Sequence, residues 1–70
     1  MAEHLTKLRK ILARLDAASS VEDMNLPGFA VHSLKGPFKG FWAVTVRANW
    51  RVIFRFVDGH VFDVDYLDYH

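Results

Sequence analysis

Seventy residues make one small domain, and a chain this short buries only about 60% of the surface it exposes when unfolded. Hydrophobic residues at 51%, aromatics at 14% and a net charge of +1 exclude a disordered chain and describe one with a core. The lack of cysteine excludes a disulfide framework and a thiolate zinc site, so the core alone must supply the stability.

The first 18 residues carry a net +2, and residues 19–28 a net −2. From Phe29 to Val57 there is no acid, and Lys35, Lys39, Arg47, Arg51 and Arg55 give +5. Asp58, Asp63, Asp65 and Asp68 then give −4. A basic middle before an acidic end is the asymmetry a polyanion partner would use. Its plainer meaning is a solvated face whose cations pair with the acidic end. The start lacks a basic region followed by an apolar run, and no stretch is long and apolar enough to cross a bilayer. The cytoplasm is the expected location.

The chain from about Glu3 to Ala17 reads as a helix. Leu5, Leu8, Leu12 and Leu15 fall at spacings of three and four, with Ile11 beside them, and Lys7, Lys10 and Arg14 on the other side. Ser20 followed by Val21, Glu22 and Asp23 predicts one short helical turn with acids at its start. Asn25-Leu26-Pro27-Gly28 breaks the chain. Phe29 to Leu34 alternates as a strand, with Phe29, Val31 and Ser33 facing one way and Ala30, His32 and Leu34 the other. Lys35 to Gly40 is a loop. Phe41 to Arg47 is a strand with Trp42, Val44 and Val46 on one face. Arg51 to Val57 is another, with Val52, Phe54 and Phe56 on one face and Arg51, Ile53 and Arg55 on the other. Asp58-Gly59 signals a hairpin. The last strand, His60 to Leu67, is expected to carry His60, Phe62, Val64 and Tyr66 in phase. The expected fold class is α+β: an N-terminal helix packed on a four-stranded antiparallel sheet, in a single domain over residues 1–70.

On this scaffold Thr45, Arg47, Arg51 and Arg55 are expected on the sheet face away from the helix, with His32, Lys35 and Lys39 before them. Cations beside aromatics suit an RNA backbone and an unstacked base. Such a surface has the parts for cutting RNA through its own 2′-hydroxyl: proton carriers in His32, Asp68, Tyr69 and His70, and charge stabilisers in Lys35 and Arg51. Each has a bland alternative. His32 can cap a polar edge, and Arg51 and Arg55 can pair with Asp63 or Asp65. Trp42 and Trp50 suit packing, and the last three residues suit a frayed end. The four histidines lack the spacing of a metal site.

The motifs Asp23-Met24-Asn25-Leu26-Pro27-Gly28-Phe29, His32-Ser33-Leu34-Lys35-Gly36, Gly40-Phe41-Trp42-Ala43-Val44, Asn49-Trp50-Arg51-Val52-Ile53-Phe54-Arg55-Phe56 and Asp63-Val64-Asp65-Tyr66-Leu67-Asp68-Tyr69-His70 occur in this order. Together they resemble the HigB toxins, or plasmid maintenance system killer proteins, of the RelE/ParE superfamily, from about Leu5 to the end. The resemblance implies a RelE-like fold and a ribosome-dependent mRNA interferase that cuts messenger RNA in the A site without metal or other cofactor. It implies a helix-turn-helix antitoxin of the HigA type, with operator DNA reached only through that antitoxin, and no membrane. It carries site roles onto His32, Lys35, Arg51, Asp68, Tyr69 and His70, leaving base and acid unassigned among them. Family members often hold a basic residue where Thr45 stands, and Arg47 is expected to substitute for it in phosphate binding together with Lys39. They also open with a strand and a helix that precede the helix seen here. Their absence would leave an open sheet edge that invites pairing with a second copy. The alternative is therefore a shortened, non-catalytic module that dimerises or binds its antitoxin without cutting RNA.

Overall fold

The computed structural model describes residues 2–68, with side chains from Leu5 onward. Helix α1 spans Ala2–Ala17 and packs on one face of a four-stranded antiparallel sheet. The strands are β1 (His32–Ser33), β2 (Trp42–Arg47), β3 (Trp50–Val57) and β4 (His60–Asp68), and they follow one another in space as in sequence. Consecutive strands joined by short turns need no crossover, so this meander is the simplest sheet the predicted elements allow. The expected α+β layering is present. No helix among the described residues is long and apolar enough to cross a membrane.

Between helix and sheet lies the main core of Ile11, Leu15, Met24, Phe29, Val44, Val46, Val52 and Phe54. The even-numbered residues of β2 and β3 supply it, as period-two alternation requires. The helix contributes less than its leucine stripe suggests. Ile11 and Leu15 are buried and Leu8 packs against them, whereas Leu5 and Leu12, seven residues apart, are 49% and 43% exposed. The predicted stripe is wider than the strip of sheet available to cover it.

Ser20 opens a 3-10 turn at Val21–Met24, the short turn the sequence predicts. The Asp23 carboxylate accepts from the backbone N–H groups of Ser19 and Ser20 at 2.9 and 3.3 Å, and from the Ser19 hydroxyl at 3.3 Å. Lys7 Nζ donates to the Gly28 carbonyl at 2.7 Å, tying α1 to the turn before β1.

Two sequence expectations need correction. The strand predicted for Phe29–Leu34 is reduced to His32–Ser33, because Phe29 lies in a turn and Ala30 has φ of 49°. The predicted facing still holds: Phe29 and Val31 pack into the main core, and Leu34 is buried on the other side. In β4 the phase expected for His60, Phe62, Val64 and Tyr66 is broken by a bulge. The register with β3 shifts between Ile53 and Arg55, and Asp63 has φ of 55°. An extra residue in one strand swaps faces beyond it. Val61 and Tyr66 therefore pack toward the helix, while Phe62 sits opposite Arg55. The Asp58-Gly59 hairpin forms as expected, with both residues at positive φ.

Candidate RNA-binding face

The sheet face away from α1 is built in three cross-strand rows. Residues paired across antiparallel strands share a face, so His32, Ala43, Ile53 and Asp65 form one row over all four strands. On one side of it lies the row Thr45, Arg51 and Leu67. On the other lies Arg55 opposite Phe62, with the Arg55 guanidinium 5.8 Å from the Phe41 ring centroid. The centre of this face is apolar. Leu34, Ala43 and Ile53 are buried under Phe38, Phe41 and Leu67, and Phe38 meets Phe41 edge-to-face at 5.9 Å. The face is thus not wholly free, as the sequence suggests; the loop after β1 folds back over part of it.

His32 stands exposed at the β1 edge of the middle row, and its Nδ1 lies 2.9 Å from the Ala30 carbonyl. Lys35 and Lys39 are exposed on either side of the 3-10 turn Gly36–Phe38. Arg51 is half-buried and donates through Nη1 to the carbonyls of Ala48 and, at 3.3 Å, Trp50. Its Nε is buried without a hydrogen-bond partner among the described residues. His32 and Arg51 stand two strands and two residues apart, roughly 12 Å between backbones from standard sheet spacings.

Arg47 and Asp68 fall elsewhere. A register shift between Thr45 and Arg47 sets Arg47 opposite Trp50, not in the row of Thr45 and Arg51. Asp68 pairs with Trp50 from the other side, so it belongs to the same cross-strand row as Arg47. Trp50 also lies against Tyr66, with ring centroids 4.9 Å apart, and burial pushes the Tyr66 phenol above its usual value. Tyr69 and His70 lie outside the described residues.

The acidic end neutralises only part of the basic middle. Arg55 pairs with Asp63 at 3.0 Å, an exposed ion pair of the kind that adds little stability. Arg51, by contrast, is held by carbonyls and not by a carboxylate among the described residues. No three His, Asp or Glu residues among the described ones stand close enough to hold a metal ion. Sequence reasoning did not single out Ala30 and Ala48 as holders of His32 and Arg51. Alanine carries no signal for positive φ, and only glycine or asparagine would have drawn attention there.

Comparison with known proteins agrees with the resemblance drawn from the motifs. The sequence profile of the HigB-like toxins, described as RelE-like toxins of the type II toxin-antitoxin system HigB, matches residues 1–70. The chain is 36% identical over 69 residues to the endoribonuclease HigB of Proteus vulgaris, covering 99% of this chain and 75% of that protein. It is 39% identical over 57 residues to toxin HigB-1 of Vibrio cholerae, covering 80% of this chain and 59% of that protein. The helix on an antiparallel meander, the ordered motifs and a profile match over the full 70 residues converge: the chain belongs to the HigB-like toxin family of type II toxin-antitoxin systems.

Proposed function

We propose that this chain is an endoribonuclease that stops translation by cutting messenger RNA in the ribosomal A site. The supporting observation is the shared sheet face of His32 and Arg51. It sets a proton carrier at the β1 end of the row of Ala43 and Ile53 and a fixed cation in the neighbouring row, with Lys35 and Lys39 in the loop after β1.

The reaction needs no metal in this scheme. The 2′-hydroxyl of one nucleotide attacks the adjacent phosphorus. The bond from 2′-oxygen to phosphorus forms, the bond to the 5′-oxygen breaks, and a 2′,3′-cyclic phosphate and a 5′-hydroxyl result. The hydroxyl proton passes to a base and the leaving oxygen receives one from an acid. Arg51 meets the negative charge gathering on the phosphorane, where a fixed donor in a partly dry site is worth most. Its Nη1 is held by the Ala48 and Trp50 carbonyls, which fixes the guanidinium and leaves Nη2 to donate to a phosphate oxygen. Lys35 and Lys39 hold the RNA backbone, while Arg47, set opposite Trp50, lies off that track. The further proton carriers in this reading are Asp68, in the row of Trp50 and Arg47, and Tyr69 and His70, which follow it in sequence.

The partners in this reading are the ribosome with its message and a helix-turn-helix antitoxin of the HigA type, all in the cytoplasm, with operator DNA bound only through the antitoxin. A second reading is a non-catalytic module that pairs with another copy. It is favoured by Leu5 and Leu12 on α1 and Val64 on the β4 edge, all large, apolar and exposed. Induced expression in growing cells separates the two. Arrested growth, relieved by deleting His70, supports the enzyme. A folded chain that leaves growth unaffected supports the module.

A further inference from the structure

The sequence leaves open which group takes the proton from the 2′-hydroxyl. The geometry around His32 points to an answer, which rests on the RNA-cutting reading above: we propose that Ala30 is a positioning residue whose carbonyl fixes His32 as the Nδ1–H tautomer, so that Nε2 is the base that accepts the 2′-hydroxyl proton.

Three observations carry this. The His32 Nδ1 lies 2.9 Å from the Ala30 carbonyl oxygen. A carbonyl has no hydrogen to give, so Nδ1 must donate, and a neutral ring with its proton on Nδ1 has its lone pair on Nε2. Ala30 holds φ of 49°, the left-handed region that residues other than glycine seldom adopt. That conformation turns the chain between Phe29, anchored in the main core, and His32, paired to Ala43 on β2. Phe29, just before Ala30, is held at both of its backbone groups: its N–H donates to the Leu26 carbonyl at 3.0 Å, and its carbonyl accepts from Thr45 N–H at 2.9 Å. The ring is exposed on the face that also carries Arg51, so Nε2 is open to an incoming ribose. When the 2′-hydroxyl attacks, its proton moves to Nε2 and the ring becomes a cation whose Nδ1–H still donates to Ala30. The orienting bond is kept through the step.

Nitrogen-15 NMR of the His32 ring tests the assignment without reference to activity. At a pH where the ring is neutral, the expected spectrum shows a protonated Nδ1 and a pyridine-like Nε2, in both the wild type and Ala30→Gly, since glycine adopts positive φ freely. Ala30→Val, which disfavours positive φ, is expected to shift the ring toward Nε2–H. It should also lower the turnover of RNA cutting by about tenfold or more at unchanged KM, a loss of chemistry and not of binding. Nε2–H in the wild type overturns the proposal whatever the activity. An unchanged turnover in a folded Ala30→Val whose tautomer has shifted overturns it as well. If Ala30→Val does not fold, the wild-type and Ala30→Gly spectra still decide. A wild-type chain with Nδ1–H that cuts no RNA supports the tautomer and refutes the RNA-cutting reading on which the base role rests.

Discussion

Arg51 donates through Nη1 to the carbonyl of Ala48, three residues back across the β2–β3 turn, and Ala48 holds φ of 50°. The guanidinium is therefore positioned by the turn itself. Ala48→Gly keeps the left-handed geometry and removes the Cβ clash, so it is expected to stabilise the fold by up to about 1 kcal/mol in urea unfolding. Arg51→Ala is expected to leave the sheet intact and to lower RNA cutting by about 10²-fold or more, as loss of a preoriented donor does. A single-turnover assay on a translated message measures the second effect.

Ile53 lies under the apolar strip of the candidate RNA-binding face, 2% exposed, with Leu34 and Ala43. Ile53→Ala is expected to cost about 2–4 kcal/mol through lost burial and the cavity left behind. The same change should loosen the loop from Lys35 to Gly40, since Phe38 and Phe41 pack on that cluster. Hydrogen exchange at Lys39 and Phe41, whose N–H groups bond to Gly36 and Phe38, reports the loosening directly.

The Ser19 backbone N–H bonded to Asp23 holds its carboxyl below the usual value of 3.8, with the Ser20 N–H, the Ser19 hydroxyl and Arg14 adding to the effect. A carboxyl with a depressed folded value binds its proton more readily when unfolded. Its contribution is present above the unfolded value and is lost as pH falls through the folded one. Acid titration of thermal stability should therefore steepen below about pH 4. Asp23→Asn is expected to lower the Tm at pH 7 and to flatten that acid limb.

Leu12 and Val64, 43% and 47% exposed, flank a groove of about 500 Å³ between α1 and the start of β4. Over its length α1 carries a net +2 and β4 holds Asp63, Asp65 and Asp68, while the charged helix residue lining the groove itself is Asp16. An interface of about 800 Å² per partner would take roughly one sixth of the 4789 Å² surface. On the second reading, light scattering of the 70-residue chain shows a dimer that dissociates on Leu12→Asp. A monomer at every concentration refutes the pairing.

The fold was legible wherever periodicity alone decides. The even-numbered apolar residues of β2 and β3, the Asp58-Gly59 turn and the helix seam of Ile11 and Leu15 all follow from local pattern and from burial of one face. The β4 phase was not legible, because the bulge at Asp63 leaves the local composition unchanged while swapping the faces beyond it. Leu5 and Leu12 read as core because a leucine stripe carries no information about how much sheet is there to cover it. On the candidate site, alternation placed His32 and Arg51 on one face. The carbonyls that hold them belong to two alanines whose backbone shape is set by tertiary contacts, and Arg47 is displaced by a register shift the sequence does not mark.

The central claim is that this face cuts messenger RNA on the ribosome. Primer extension on a message under translation, with purified chain added, tests it most directly. The account predicts new 5′ ends at A-site positions that appear only when the message is being translated, that persist when divalent metal is chelated after ribosomes are fixed in place, and that vanish with Arg51→Ala. No new ends from a folded wild-type chain, or equal cutting of naked RNA by wild type and Arg51→Ala, would contradict it.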